Sequence, residues 1–231
     1  MIRTNPVSDA ARRLARMLAL FGLAGSLAAC VTEQPKPPEP RNGPSPFADL
    51  QVYDCGKGVT FTAAYELNQA WLLLPERQVK LQPVESASGQ QYKAEGVTLW
   101  HQGEEALLIL PTERHSGCRV DLKATVWARA KLQGVDFRAI GSEPGWYLEI
   151  DKGNRMVLVT DNGRHWHDLV APEPQVDTAQ GITRYLTQYQ ERPVVVEIRR
   201  EACTDDSGDS YDSSVRVRVG PRSYSGCGRS L

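Results

Sequence analysis

Between residues 49 and 123 the hydrophobic positions come in short bursts, not along a helical stripe. Residues 59–63, 70–74, 78–81, 97–100, 106–110 and 120–122 are apolar or alternating runs of strand length. Turn residues separate them, and they recur at roughly ten-residue intervals, the spacing of an antiparallel barrel or sandwich. Residues 126–132 fit either a helical connector or another strand. Beyond them, residues 146–150, 156–160, 194–198 and 215–219 read again as strands. Lys152-Gly153-Asn154 and Asp161-Asn162-Gly163 supply turn chemistry of the hairpin type. The pattern predicts an all-β chain: a small barrel over 49–123, a connector over 124–136, and a second β-rich domain over 137–231.

The first 48 residues follow a different pattern. Arg12, Arg13 and Arg16 precede an apolar stretch, 17–26, that is too short to span a bilayer. Leu27-Ala28-Ala29-Cys30 then resembles the lipobox of bacterial lipoproteins, a branched aliphatic residue and two small ones before the modified cysteine. The resemblance implies a signal peptide over 1–29, cleavage before Cys30, and lipidation of that cysteine. An ordinary secretory signal with an incidental cysteine is the alternative. Residues 35–46 hold six prolines; such a segment prefers extended polyproline II and cannot pack a core, so 30–48 reads as a tether. Val31 is not the aspartate of inner-membrane retention, which by the lipoprotein sorting rule implies the outer membrane, lipid-anchored and facing the periplasm.

Charge narrows the partners. The full chain holds 27 basic and 28 acidic side chains; the segment 1–29 removes four arginines and one aspartate, leaving an excess of four acids. No clustered basic excess marks a nucleic-acid binder. With Cys30 given to lipid, Cys55, Cys118, Cys203 and Cys227 remain, an even number that suits an oxidising compartment. Three pairings are open, of which the local one, Cys55–Cys118 with Cys203–Cys227, puts one bridge in each half.

Tyr53-Asp54-Cys55, then the run Ser86-Ala87-Ser88-Gly89-Gln90-Gln91-Tyr92, then Leu99-Trp100-His101-Gln102-Gly103-Glu104-Glu105-Ala106, then Cys118 form an ordered set. The set resembles the family of membrane-bound lysozyme inhibitors of c-type lysozyme. The resemblance covers about a third of the chain and implies an eight-stranded barrel closed by one disulfide. It further implies that c-type lysozyme is the partner and that Ser86, Ala87, Ser88 and Gly89 form a loop entering its active-site cleft. Tyr92, Trp100, Gln102 and Gly103 are then the other contact positions, with Ser88 the inserted residue. Where the family carries a lysine this chain has Gln102, which keeps hydrogen bonding but loses its charge-assisted part. Residues 50–122 carry nine acids against six bases, a charge complementary to the basic c-type lysozymes and one that speeds encounter.

The second half offers weaker chemistry. It is similar to an uncharacterised β-rich domain of periplasmic lipoproteins, a resemblance that names no activity. His165-Trp166-His167 puts two imidazoles on one strand face without an evident third ligand. The acidic run 205–212 lacks the spacing and terminal glutamate of a calcium loop, and Glu143 and Glu149 flank a Pro-Gly turn. No nucleophile elbow or zinc-protease motif occurs, so neither a catalytic constellation, a metal nor a cofactor is expected. The other function in view is structural: an envelope lipoprotein that binds peptidoglycan or another envelope protein through its C-terminal half, its barrel inactive.

Overall fold

The structure, a computed structural model, describes residues 42–151 and 154–231. The signal segment, Cys30, residues 35–41 of the tether and the Lys152-Gly153 turn pair lie outside the described residues. Within them no helix is long and apolar enough to cross a membrane.

Eight strands close an antiparallel barrel: β1 (Asp49–Asp54), β2 (Thr60–Glu66), β3 (Gln69–Leu73), β4 (Gln78–Val84), β5 (Gln90–Ala94), β6 (Val97–Gln102), β7 (Glu105–Ile109) and β8 (Arg114–Val120). Period-two alternation sends Phe61, Ala63, Leu72, Leu81, Leu99 and Leu108 inward. Alanines 63, 70 and 106 share that interior with aromatic rings, the mix of small and large side chains that a narrow barrel needs. The barrel expectation holds, and the Cys55–Cys118 disulfide ties its first and last strands. β1 and β5 were not among the apolar runs. β5 has a single deeply buried side chain, Tyr92, among glutamines and a lysine, so neighbouring strands impose its conformation.

Residues 120–122, expected as a strand, divide between two elements. β8 stops at Val120, and Asp121 caps helix α1 (Leu122–Leu132) by accepting the Ala124 N–H at 2.9 Å. This helix completes the edge of β1. Val52 donates its N–H to Thr125 Oγ1 at 2.9 Å, and its carbonyl accepts from Asp121 N–H at 2.8 Å. Ala124, Ala128 and Leu132 pack on Leu50, Val52, Ala64 and Trp71, so β1 is buried on both faces.

On its other side α1 presents Trp127 to Tyr211 and the Cys203–Cys227 disulfide, with the Arg229 and Arg138 guanidinia over the indole. These belong to the second sheet, built from β9 (Val135–Ser142), β10 (Gly145–Asp151), β11 (Arg155–Thr160), β12 (His165–Val170), β13 (Gln175–Asp177), β14 (Ile182–Tyr189), β15 (Arg192–Arg199), β18 (Ser213–Val219) and β19 (Arg222–Ser230). Its order is β12-β11-β10-β9-β19-β18-β15-β14-β13, while β16 (Cys203–Thr204) and β17 (Ser210–Tyr211) form a separate ribbon. The sheet curls into a half-barrel over Leu148, Met156, Leu158, Val194, Val196 and Val217. The β11–β12 hairpin turns at Asp161 and Asn162, both left-handed at φ 55° and 58°.

Candidate functional site

Residues 85–89 connect β4 to β5 as an exposed loop at one end of the barrel. Its shape is set by bonds to the Ser88 carbonyl. Trp100 Nε1–H donates to that oxygen at 2.8 Å and Ser86 Oγ–H at 2.6 Å. The Ser88 hydroxyl itself has no hydrogen-bond partner among the described residues. Gly89 follows at φ +63°, and a Cβ there would stand 2.5 Å from the His101 carbonyl oxygen and 3.1 Å from Gln102 Cβ. Only glycine permits both the left-handed backbone and this approach to β6. The loop is therefore laid across residues 100–102 and fastened there.

The next hairpin shares that end. Gly103 and Glu104 make the two-residue turn between β6 and β7, with Gly103 at φ +59°, the position where a primed turn requires glycine. Gln102, Gly103, Glu104 and Glu85 are all exposed, and neither glutamate has a cationic partner among the described residues.

Beneath the loop the barrel interior is aromatic and polar. The Tyr92 ring is buried, 6 % exposed, and its hydroxyl donates to Gln90 Oε1 at 2.7 Å. Tyr53 and Tyr65 share a hydroxyl–hydroxyl bond of 2.9 Å, and Tyr53 also donates to Gln51. Burial pushes the Tyr53 phenol up to about 12 and raises Tyr65 further. His101 lies 4.1 Å from the Tyr65 ring, its two ring nitrogens buried and without a hydrogen-bond partner among the described residues. Desolvation lowers its pKa, with Asp49 opposing weakly.

Residues 53–115 match the family model described as membrane-bound lysozyme-inhibitor of c-type lysozyme. The match runs from β1 into β8 and so covers most of the barrel; α1 and the second sheet lie beyond it. No curated protein and no solved structure matches the chain.

Set beside this family match, the positions expected at the interface fall into two groups. Ser86, Ala87, Ser88, Gly89, Gln102 and Gly103 lie together at the exposed end. Tyr92 points into the barrel and supports β5 from inside. Trp100 is half-buried and acts as the loop's fastening. His101 lies within the same motif but is not among the expected contact positions. The alternation of β6 carries the signal that would have found it, since His101 follows Val97 and Leu99 on the inward face.

The other candidates resolve into local structure. His165 Nδ1 pairs with Asp161 Oδ2 at 2.9 Å, and His167 packs edge-on against Tyr189 at 4.7 Å. Asp205 is saturated by its own loop: it accepts from the Ser207 hydroxyl, the Ser207 and Asp209 N–H groups and the Tyr211 hydroxyl. The Ser207 bond above all holds its carboxyl far below the usual range. Glu149 pairs with Arg138, and Glu143 sits in the β9–β10 turn. Among the described residues no group of three or more His, Cys, Asp and Glu is placed to hold a metal.

Two outcomes follow for the loop and its floor. Gly89→Ala clashes with backbone, so the loop must lift from β6; the Trp100 indole N–H resonance should lose its hydrogen-bonded shift, while Ser88→Ala leaves it in place. The second concerns acid. Desolvation makes His101 harder to protonate in the folded chain, whereas the unfolded chain takes a proton near the usual 6.5. The unfolded state thus binds more protons in acid, and stability declines as pH falls below about 6.5, by at most about 1.4 kcal/mol per pH unit for one proton. Melting curves between pH 7.5 and 5 should show this slope in the wild type and less of it in His101→Phe.

Proposed function

We propose that this chain is an envelope lipoprotein that inhibits c-type lysozyme by inserting the 86–89 loop into the enzyme's active-site cleft. The family match of the barrel supports the inhibitory role and an envelope location. The observation that carries the loop reading is the state of Ser88: its carbonyl is fastened by Trp100 and Ser86 while its hydroxyl is free. Lysozyme cleaves glycan with two carboxyl groups facing across a cleft, one protonated and one ionised. A narrow loop that offers a serine hydroxyl donates a hydrogen bond to such a carboxylate. A loop already held in one shape loses little conformational freedom on entering, so less of the contact energy is cancelled by ordering. Glu85 and Glu104 flank it with negative charge toward a basic enzyme.

Lipidation at Cys30, with the 30–48 tether holding the barrel off the outer membrane, is the anchoring half of this proposal. It rests on the lipobox resemblance and the proline-rich spacer. Cys30→Ser should then leave the protein as unlipidated precursor or soluble periplasmic form. Recovery of the variant in the membrane fraction at wild-type level overturns the anchoring.

The inhibitory half is tested by residual lysozyme activity against the same chain and its variants. Ser88→Ala removes a hydrogen bond to a charged group, which costs about 1.5–3 kcal/mol, a rise of roughly ten- to a hundredfold in the inhibition constant. Melting should stay unchanged, because the loop is exposed. Gln102→Lys restores the family's lysine and should tighten inhibition, more strongly at low salt because the added attraction is screened. Equal inhibition by Ser88→Ala and wild type removes the loop from the mechanism. Absence of inhibition by wild type and Gln102→Lys alike turns the barrel into a scaffold for another partner.

A further inference from the structure

The outer face of the second sheet carries arginines that its own acids do not neutralise. Register pairs place Arg184, Glu197, Arg216 and Ser225 side by side across β14, β15, β18 and β19. The rank on one side holds Val195, Arg218 and Ser223, and the rank on the other holds Arg199. Directly paired residues share a face, and so do residues two apart on a strand. Arg199, Arg216, Arg218, Ser223 and Ser225 line a groove of about 480 Å³ in which Glu197 is the one carboxylate among the described lining residues.

That carboxylate is already engaged. Arg184 Nε reaches it at 2.7 Å and Arg199 at 2.8 Å, and the Arg184 bond, with Arg199 adding to it, holds it below the ordinary carboxylate range. Arg216 and Arg218 are exposed and have no partner among the described residues. The adjoining pocket shares Glu197, Arg199, Arg216 and Ser225 with this groove and is acidic, lined also by Glu143, Glu201, Asp205 and Asp206, so the positive excess lies toward Arg218 and Ser223. The groove's own lining sets three arginines against Glu197, and the backbone positions of Arg216 and Arg218 lie about 6–7 Å apart along β18. Like charges crowded on one sheet face destabilise it. The run Val215-Arg216-Val217-Arg218-Val219 buries its valines and keeps this conflict on the outside. Local conflicts of this kind are expected where a ligand supplies the missing charge.

We infer that this groove binds a phosphoryl group, with Arg216 and Arg218 as the two forks and the Ser223 and Ser225 hydroxyls as further donors. A carboxylate carries one charge and two oxygens, and a single guanidinium fork satisfies it. A phosphomonoester carries nearly two charges and three terminal oxygens, and so uses both forks and the hydroxyls. The inference is independent of what the barrel does.

The test uses the full chain carrying Cys30→Ser, so that no lipid anchor enters the vesicle arm. Sodium pyrophosphate is titrated calorimetrically at low and moderate salt, and binding to vesicles containing phosphatidic acid, a lipid phosphomonoester, is compared with phosphatidylcholine vesicles. Pyrophosphate should bind, less tightly as salt rises, and Arg216→Gln with Arg218→Gln should weaken it tenfold or more at unchanged melting temperature. Glu197→Gln frees Arg184 and Arg199 and should tighten it severalfold, an opposite sign that a purely structural role does not produce. Should the double variant melt early, Arg218→Gln alone and Glu197→Gln decide the matter. Binding of pyrophosphate without retention on phosphatidic acid identifies a soluble phosphoryl compound. Retention on phosphatidic acid alone, lost in the arginine variants, identifies a lipid headgroup. No binding to either probe at millimolar concentration, or binding indifferent to the arginine variants, overturns the inference.

Discussion

Closure of an eight-stranded barrel demands that the last strand find the first, and here β8 meets β1 through Tyr53 with Val120 and Asp54 with Arg119. The rest of the β1 edge needs other partners, because an unpaired buried N–H or carbonyl costs as much as a lost hydrogen bond. Helix α1 supplies them through Asp121 and Thr125, and its alanines cover Leu50 and Val52. The same eleven-residue helix carries Trp127 into the second sheet. One short element thus closes the barrel and gives the half-barrel a wall.

A closed barrel also explains how a loop of small residues keeps one shape. Short polar loops are ordinarily mobile, since little apolar surface is buried to order them. The 86–89 loop is ordered instead by its floor: a glycine that lets the backbone touch β6, and an indole donor held at the rim of the barrel. That floor rests on Tyr92, Tyr65 and His101, whose buried polar atoms make the interior sensitive to protonation. Geometry at the surface and electrostatics below it are parts of one construction.

The second sheet treats its charges in two ways. Where acids cluster, between Cys203 and Cys227, each is bound to hydroxyls, backbone N–H groups or Lys123. Along β18 the arginines are left open. Saturated acids shape a loop, whereas open cations beside serines make a surface for an anion.

How much of this was legible beforehand depends on the range of the forces involved. Hydrophobic alternation is a property of residues two apart, so the runs at 78–81, 97–100, 146–150 and 215–219 fall within strands of the structure. The four cysteines left after Cys30 pair locally in each half, and the spaced set from Tyr53 to Cys118 pointed to the family whose model matches the barrel. β1 and β5 escaped because their inward faces hold few apolar residues and their conformation comes from neighbours distant in the chain. The run 120–122 misread as strand because its end is set by Val52, about seventy residues earlier, which draws Asp121 and Thr125 into a cap and an edge. Likewise the sequence by itself named Trp100 and Tyr92 but not their tasks. Whether a side chain on a strand faces a partner, a neighbouring loop or the core is decided by barrel closure, and closure is a condition on the whole sheet that no local pattern contains.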